Sequence, residues 1–381
     1  MNCRVSLPLA ILEDPAFSAL QGAFHPGTIE PQLLAMAAEP RRGSARSSAL
    51  GVRLIAIDVI RHKAGRRCVV EYQLGPAGVV GLAEEPTTLM GKIRAKGPDL
   101  RTFDLLRTLW QHGFDGKAAD GVSIPAPLGM IPSLHMGVQA KASGEPVDGL
   151  LAVPYVLQVA QRVAQASAKI HRLALSPPKV HRAADELRIL RDRFDELLIT
   201  HPHLGRRLGA IHAACARLLS GLGEVRLTCV HRDFYPAQVL VDGSRLTLLD
   251  FDLFCLGDPA LDVGNFLGHV TEQSIRDHGH AGGYAYFELL FKESYLELAG
   301  PDLRPRIRAY QTLTMARHIF LCTLKPERSA FLEDILGWCE ERLDLRSATR
   351  SLVAPGYVSS GRDNPRPSPL PVPGTLRGQV P

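Results

Sequence analysis

The sequence predicts an α+β chain built as two lobes, a small antiparallel sheet followed by a mainly helical part. Three observations carry this expectation. At 381 residues the chain exceeds what one hydrophobic core covers, while its 45% apolar and 22% charged content is that of an ordinary globular protein. Two β-branched runs, at 54–60 and 68–74, bracket a basic turn, which is the pattern of a hairpin. From Tyr155 onward the apolar residues recur at helical spacing.

Residues 1–50 mix short helical patterns with a basic, serine-rich run at 41–48 and read as an N-terminal helical adapter. The first lobe is expected over 51–138. Its hairpin tip is Arg61, His62, Lys63, Ala64, Gly65, Arg66 and Arg67, its third strand lies at 87–95, and Leu100, Phe103, Leu106, Leu109 and Trp110 fall on one helix. After Pro125, Pro127 and Pro132 comes a short strand at 135–140, and the turn Ser143-Gly144-Glu145-Pro146 marks the passage into a helical lobe over 139–350. There Val156, Val159, Val163, Ile170 and Leu173 share a face, and similar stripes recur at 183–198, 204–222, 283–298, 306–324 and 330–345. Asp242-Gly243, between the apolar runs 239–241 and 246–249, is a strong hairpin signal. The tail at 351–381 has seven prolines and one aromatic residue, Tyr357, and is expected to be disordered.

Composition also excludes classes. A net charge of +5, spread along the chain, speaks against a nucleic-acid partner. The seven cysteines, at 3, 68, 215, 229, 255, 322 and 339, form no CxxC pair and read as free thiols of a reducing, cytoplasmic compartment. No apolar run reaches the roughly 18 residues of a membrane span. The apolar run at 5–12 is short and broken by Pro8, so no signal peptide is expected. There is no GxGxxG, no GxxxxGK[ST] and no GxSxG, which removes Rossmann, P-loop and serine-hydrolase readings. His201-Pro202-His203 and His278-Gly279-His280 lack cysteine or carboxylate companions at ligand spacing.

The chemistry concentrates between 231 and 262. Phosphoryl transfer needs positive charge around the moving group and an acceptor oxygen held in line. Asp233, in His231-Arg232-Asp233, is placed to orient a hydroxyl and take its proton. Gln238 and Asp250 are twelve residues apart, but the hairpin between them returns the chain beside its start, so together they can hold Mg²⁺, a cation that prefers oxygen. Asp252 adds a ligand to a second metal or points to solvent.

His231-Arg232-Asp233 with an amide at 238, then Asp250-Phe251-Asp252 and Gly257-Asp258-Pro259-Ala260-Leu261-Asp262, resembles the aminoglycoside phosphotransferase and choline kinase family. The resemblance implies a bilobal protein-kinase-like fold and an ATP- and Mg²⁺-dependent kinase acting on the hydroxyl of a small molecule. It implies that Asp233 is catalytic, that Gln238 stands where the family has a metal-binding asparagine, and that Asp250 is the metal-binding aspartate. By the same resemblance His231, Asp258 and Asp262 support the catalytic loop, with the helix at 164–171 beneath it. In the first lobe it implies that Lys92 contacts the α- and β-phosphates, that the tip with Arg61, Lys63 and Arg66 covers the phosphates, and that Gln139, Ala140 and Lys141 form the hinge that meets adenine.

Gln238 is one methylene longer than the family's asparagine, and no glutamate on the helix after Lys92 offers itself as that lysine's partner; Asp104 is the nearest carboxylate. A catalytically weak or dead nucleotide-binding module is therefore the second reading. A protein acceptor is disfavoured because only four residues separate Asp252 from Gly257, too few for an activation loop. For a cationic acceptor, Glu272, Asp277, Glu288 and Glu293 are candidate contacts, although acidic residues on helices usually face solvent.

Overall fold

In a computed structural model of the chain, residues 3–38, 52–76 and 87–345 are described. The serine-rich run at 41–48 and the proline-rich tail lie outside them.

The first lobe is a six-stranded sheet in the order β1-β2-β3-β4-β7-β6. In chain order it begins with β1 (Arg4–Ser6), α1 (Leu9–Leu12), a 3₁₀ stretch Pro15–Phe24 and α2 (Pro26–Ala38). The strands β2 (Val52–Lys63), β3 (Arg67–Pro76) and β4 (Thr87–Arg94) follow as an antiparallel meander, then α3 (Leu100–Leu109). After β5 (Val122–Ser123), the strands β6 (Pro127–Ile131) and β7 (Met136–Ala140) close the sheet.

The N-terminal residues expected to form an adapter instead belong to this lobe. β1 adds a parallel strand to β2, and Ile11, Phe17, Leu20, Phe24, Ile29 and Leu33 join Leu54, Ile57, Val70, Tyr72, Leu89 and Ile93 in one core. Isolated helices this short are marginal in water, and burial against the sheet is what stabilises them. Asp14 fastens the segment to the hairpin: its Oδ2 accepts from the Gly65 amide and bonds His62 Nε2, each at 2.8 Å.

Strand alternation then fixes the other face. Cross-strand neighbours share a face and residues two apart along a strand do too. Arg61, Val69 and Lys92 form one row, and Lys63, Arg67 and Arg94 the next. Five cations therefore stand on the face opposite the core.

The second lobe begins as the chain leaves β7. The sheet runs to Ala140, two residues past the boundary expected at 138, and β5 pairs with a strand of the second lobe. The elements are β8 (Glu145–Pro146), α4 (Val156–His171), α5 (Ala183–Thr200), α6 (Gly205–Ser220), β9 (Thr228–Val230), β10 (Val239–Asp242), β11 (Arg245–Leu248), β12 (Cys255–Gly257), α7 (Ala260–His278), α8 (Ala285–Ala299), α9 (Arg304–Thr323), α10 (Pro326–Ser329) and α11 (Leu332–Arg342). A small sheet β5-β11-β10-β8 and the pair β12-β9 carry the loops of interest.

The helices enclose a single apolar core. α7 and α9 approach backbone to backbone because Gly264 and Gly268 face Tyr310 and Thr314, where any Cβ would clash. All seven cysteines are free. Among the described residues, no helix is long and apolar enough to cross a membrane.

Candidate active site

The loop leaving β9 is held almost atom by atom. Asp262, fully buried one turn into α7, accepts from the His231 amide at 2.8 Å and from the Arg232 amide at 2.7 Å. His171, at the end of α4, bonds the same carboxylate at 3.0 Å and Tyr295 Oη at 2.7 Å. One turn along from Asp262, Asn265 donates to the Phe234 carbonyl at 2.8 Å, and its own oxygen accepts from Arg317 of α9 at 2.5 Å. The His231 ring donates through Nε2 to the Leu249 carbonyl at 2.8 Å and packs on Phe251. These contacts hold Arg232 in the left-handed region, at φ 69°, which costs a non-glycine residue about 1 kcal/mol.

The loop presents Asp233 to a cleft of about 1000 Å³ between the lobes. Burial raises the Asp233 pKa above the ordinary carboxylate value, with His231 and Arg317 pulling it back only in part and Asp250 adding to the rise. A carboxylate so tuned is a better proton acceptor than a solvated one.

Gln238 and Asp250 come together as the hairpin argument requires. β10 and β11 pair from Val239↔Leu248 to Asp242↔Arg245, and the Leu249 amide extends the ladder by donating to the Gln238 carbonyl at 2.9 Å. Asp250 follows at φ 61° and turns its carboxylate toward the first lobe. There Lys92 Nζ meets Asp250 Oδ1 at 3.2 Å. This supplies the partner of Lys92 that no residue of α3 offers. Burial alone would raise the Asp250 pKa, but Lys92 and Arg67 outweigh it and lower it, so this carboxylate stays ionised.

The donor set suits a hard divalent cation held in part by substrate oxygens. Asp250 and Asp252 lie side by side, Asp252 Oδ1 is buried without a hydrogen-bond partner, and the Gln238 amide nitrogen donates to Tyr235 Oη, which leaves its oxygen available. Mg²⁺ typically takes only one or two carboxylates and completes its shell with water and phosphate. Accordingly, no cluster of three or more His, Cys, Asp or Glu side chains arranged for a metal occurs among the described residues, and the two His-x-His pairs form none.

Several expectations need correction. Asp252 does not point to solvent: Arg94 pairs with its Oδ2 at 2.6 Å and Arg67 at 3.3 Å. Among the described residues Asp258 makes no hydrogen bond to the 231–238 loop. It caps the start of α7 through the Ala260 amide and pairs at 2.7 Å with Arg306, which in turn binds the carbonyls of Leu222, Gly223 and Glu224 ahead of β9. The hinge amides are already used, Ala140 by Ala126 and Lys141 by Thr88, and the Lys141 ammonium is held by Glu71. Gln139 lines a narrow pocket with Lys92 between β4, β7 and α3. Lys63 and Arg66 line the main cleft, and Arg61 a recess beside it with Lys92 and Asp250.

The four acidic candidates for a cationic acceptor are spoken for. Glu272 is buried against Arg276 at 2.9 Å, Asp277 accepts from Tyr284 and Gln273, Glu288 accepts from Thr271 and Gln311, and Glu293 is gripped by Arg304.

Sequence reasoning missed Arg94, Asn265 and Arg317, and put Arg67 on the phosphate-covering tip without its contact to Asp252. Arg94 was findable, since it lies two residues beyond Lys92 on the same strand, and Asn265 lies three beyond Asp262 on the same helix. Arg317 comes from a distant helix and leaves no local signal.

A bilobal protein-kinase-like fold, with the 231–238 loop, a metal-suited hairpin and a strand lysine converging on one cleft, defines the class. The model of the APH phosphotransferase enzyme family matches residues 100–296, and the chain belongs to that family. In fold it is similar to a choline kinase from Cryptosporidium parvum Iowa II, with TM-score 0.55 at 10% identity over 84% of this chain and 97% of that one. It is also similar to an amicoumacin kinase solved with AMP-PNP and Ca²⁺, with TM-score 0.50 at 15% identity over 75% of this chain and 88% of that one. No curated protein matches the sequence.

Proposed function

We propose that this protein transfers the γ-phosphoryl group of ATP to a hydroxyl of a small molecule. The observation that carries the reading is the meeting of Asp233 and Asp250 in one cleft under the cationic face of the first lobe. Nucleotide would lie between the sheet lobe, ending at Ala140, and the helical lobe. The names of the two similar structures, a choline kinase and an amicoumacin kinase held with an ATP analogue, support a nucleotide donor and a small acceptor.

In this mechanism Asp233 aligns the acceptor hydroxyl and takes its proton as the new oxygen–phosphorus bond forms and the bond to the β-phosphate oxygen breaks, releasing ADP. Gln238 and Asp250 would hold Mg²⁺, which when bound supplies positive charge to the phosphates. Lys92, now on Asp250, is within reach to share itself with a phosphate oxygen. The acceptor is small because β12 and α7 follow Asp252 directly, with no long loop on which a protein substrate could dock.

The test is ADP release with ATP and Mg²⁺ over a panel of hydroxyl acceptors. Asp233→Asn should lower kcat by about 10²–10⁴-fold, and undiminished turnover would overturn the assignment. Because burial raises the Asp233 pKa, kcat should fall on acidification starting above the ordinary carboxylate range. The Lys92–Asp250 ion pair favours one second reading, a binding module in which the lysine blocks the metal carboxylate. A thermal shift with ATP and Mg²⁺ but turnover on no acceptor would select it.

A further inference from the structure

We propose that the acceptor carries an anionic group, a phosphate ester or a carboxylate, beside its hydroxyl, and that Lys96 and Lys179 receive it. The inference rests on the phosphotransfer reading and names the substrate class of the same site.

The charges on the cleft wall carry the argument. Its acidic side chains are Asp99, Asp233, Asp250 and Asp252. Asp252 is neutralised by Arg94 and Arg67, Asp99 by Arg94 at 2.9 Å, and Asp250 by Lys92. Against the one carboxylate left, Asp233, stand Lys63, Arg66, Lys96 and Lys179, none of which forms an ion pair among the described residues. The crowding is felt: burial, then Arg67, Arg61 and Arg66, push the Lys63 ammonium below its ordinary pKa. Like charges gathered around an open cavity are relieved by an anion.

Two of these cations are accounted for by the nucleotide. Lys63 and Arg66 sit at the hairpin tip, over the place the triphosphate takes. The other two stand elsewhere, one on each lobe. Lys96 is on the turn between β4 and α3, where the Ala95 amide donates to the Arg66 carbonyl at 3.0 Å. Lys179 is on the link between α4 and α5, where its carbonyl accepts from the Leu256 amide at 2.9 Å. Their backbones are thus fixed while their ammonium groups are free, and both line the cleft that contains Asp233. An acceptor whose hydroxyl meets Asp233 would place its anion between them. The four acidic residues considered for a cationic acceptor, Glu272, Asp277, Glu288 and Glu293, are by contrast bonded internally.

Two measurements on the full chain test this. The first is equilibrium titration of inorganic phosphate into protein saturated with AMP-PNP and Mg²⁺, at constant ionic strength. Wild type should bind phosphate about 10-fold more tightly than the Lys96→Gln, Lys179→Gln double variant, since each lost ammonium removes a charge-assisted contact. The second compares kcat/KM for matched acceptors: glycerol with glycerol 3-phosphate, ribose with ribose 5-phosphate, and choline as the cationic reference. The phosphorylated members should be preferred by about 10-fold or more, and the double variant should lose that preference through KM. Equal phosphate binding by both proteins, or choline and neutral acceptors turned over as well as the anionic ones, overturns the inference and leaves phosphotransfer standing. Phosphate bound through the two lysines with turnover on no acceptor does the reverse: it supports the anion site and sinks the phosphotransfer reading.

Discussion

The loop at 231–238 and the basic hairpin tip at 61–67 face each other across one cleft and are held to different degrees. In the loop both backbone and side chains are bonded, through Asp262, His171, Asn265 and the Leu249 carbonyl. In the hairpin Asp14 anchors the Gly65 amide and the His62 ring and Asp252 meets Arg67, while Arg61, Lys63 and Arg66 form no ion pair among the described residues. The difference suits the roles proposed for the two. A group that orients a hydroxyl has to be in position beforehand. Cations that meet a mobile polyphosphate gain from being unsatisfied until it arrives.

The comparison can be broken most severely at Asp262. Replacing it with Ala leaves two backbone amides and His171 without their acceptor in a dry site, so we expect a loss of about 3 kcal/mol in chemical denaturation together with collapse of kcat. A stable, active variant would show that the loop is not held from α7. At the hairpin the opposite pattern is expected. Lys63→Ala with Arg66→Ala should leave the denaturation midpoint within about 0.5 kcal/mol of wild type. The KM for ATP should rise about 3–10-fold at low salt, and the difference should shrink as salt is added.

A further effect concerns a carboxyl that the helical lobe holds against its preference. Burial raises the Glu288 pKa to about 7 from its ordinary 4.5. The unfolded chain therefore releases this proton first, and the penalty on folding grows between those two pH values and is constant above them. Glu288→Gln removes it, so its stability relative to wild type should improve by on the order of 2 kcal/mol from about pH 4.5 to about pH 8. A pH-independent difference would place the charge elsewhere.

The loop and hairpin of the candidate site were legible because their signals are local. His231, Asp233, Gln238 and Asp250 sit on one loop and one tight hairpin, and the Asp242-Gly243 turn fixes the register that joins them. Asp262 was legible as a brace, whereas Asp258, four residues earlier, braces a different turn through Arg306. Nothing in the spacing distinguishes those two carboxylates, because their partners lie far away in the sequence. The same limit hid the packing of residues 3–38 on the sheet: short amphipathic pieces look alike whether they cap a core or precede one.

By itself the sequence determined the main strands and helices, the family, and the proximity of Gln238 to Asp250, since hairpin and helix periodicities are set within a few residues. The tertiary structure decided which charges meet. It gave Lys92 to Asp250, gave Asp252 to Arg94 and Arg67, and left Lys96 and Lys179 facing an open cleft. Ion pairs over such separations carry no periodicity; they exist only once the two lobes have closed on one another.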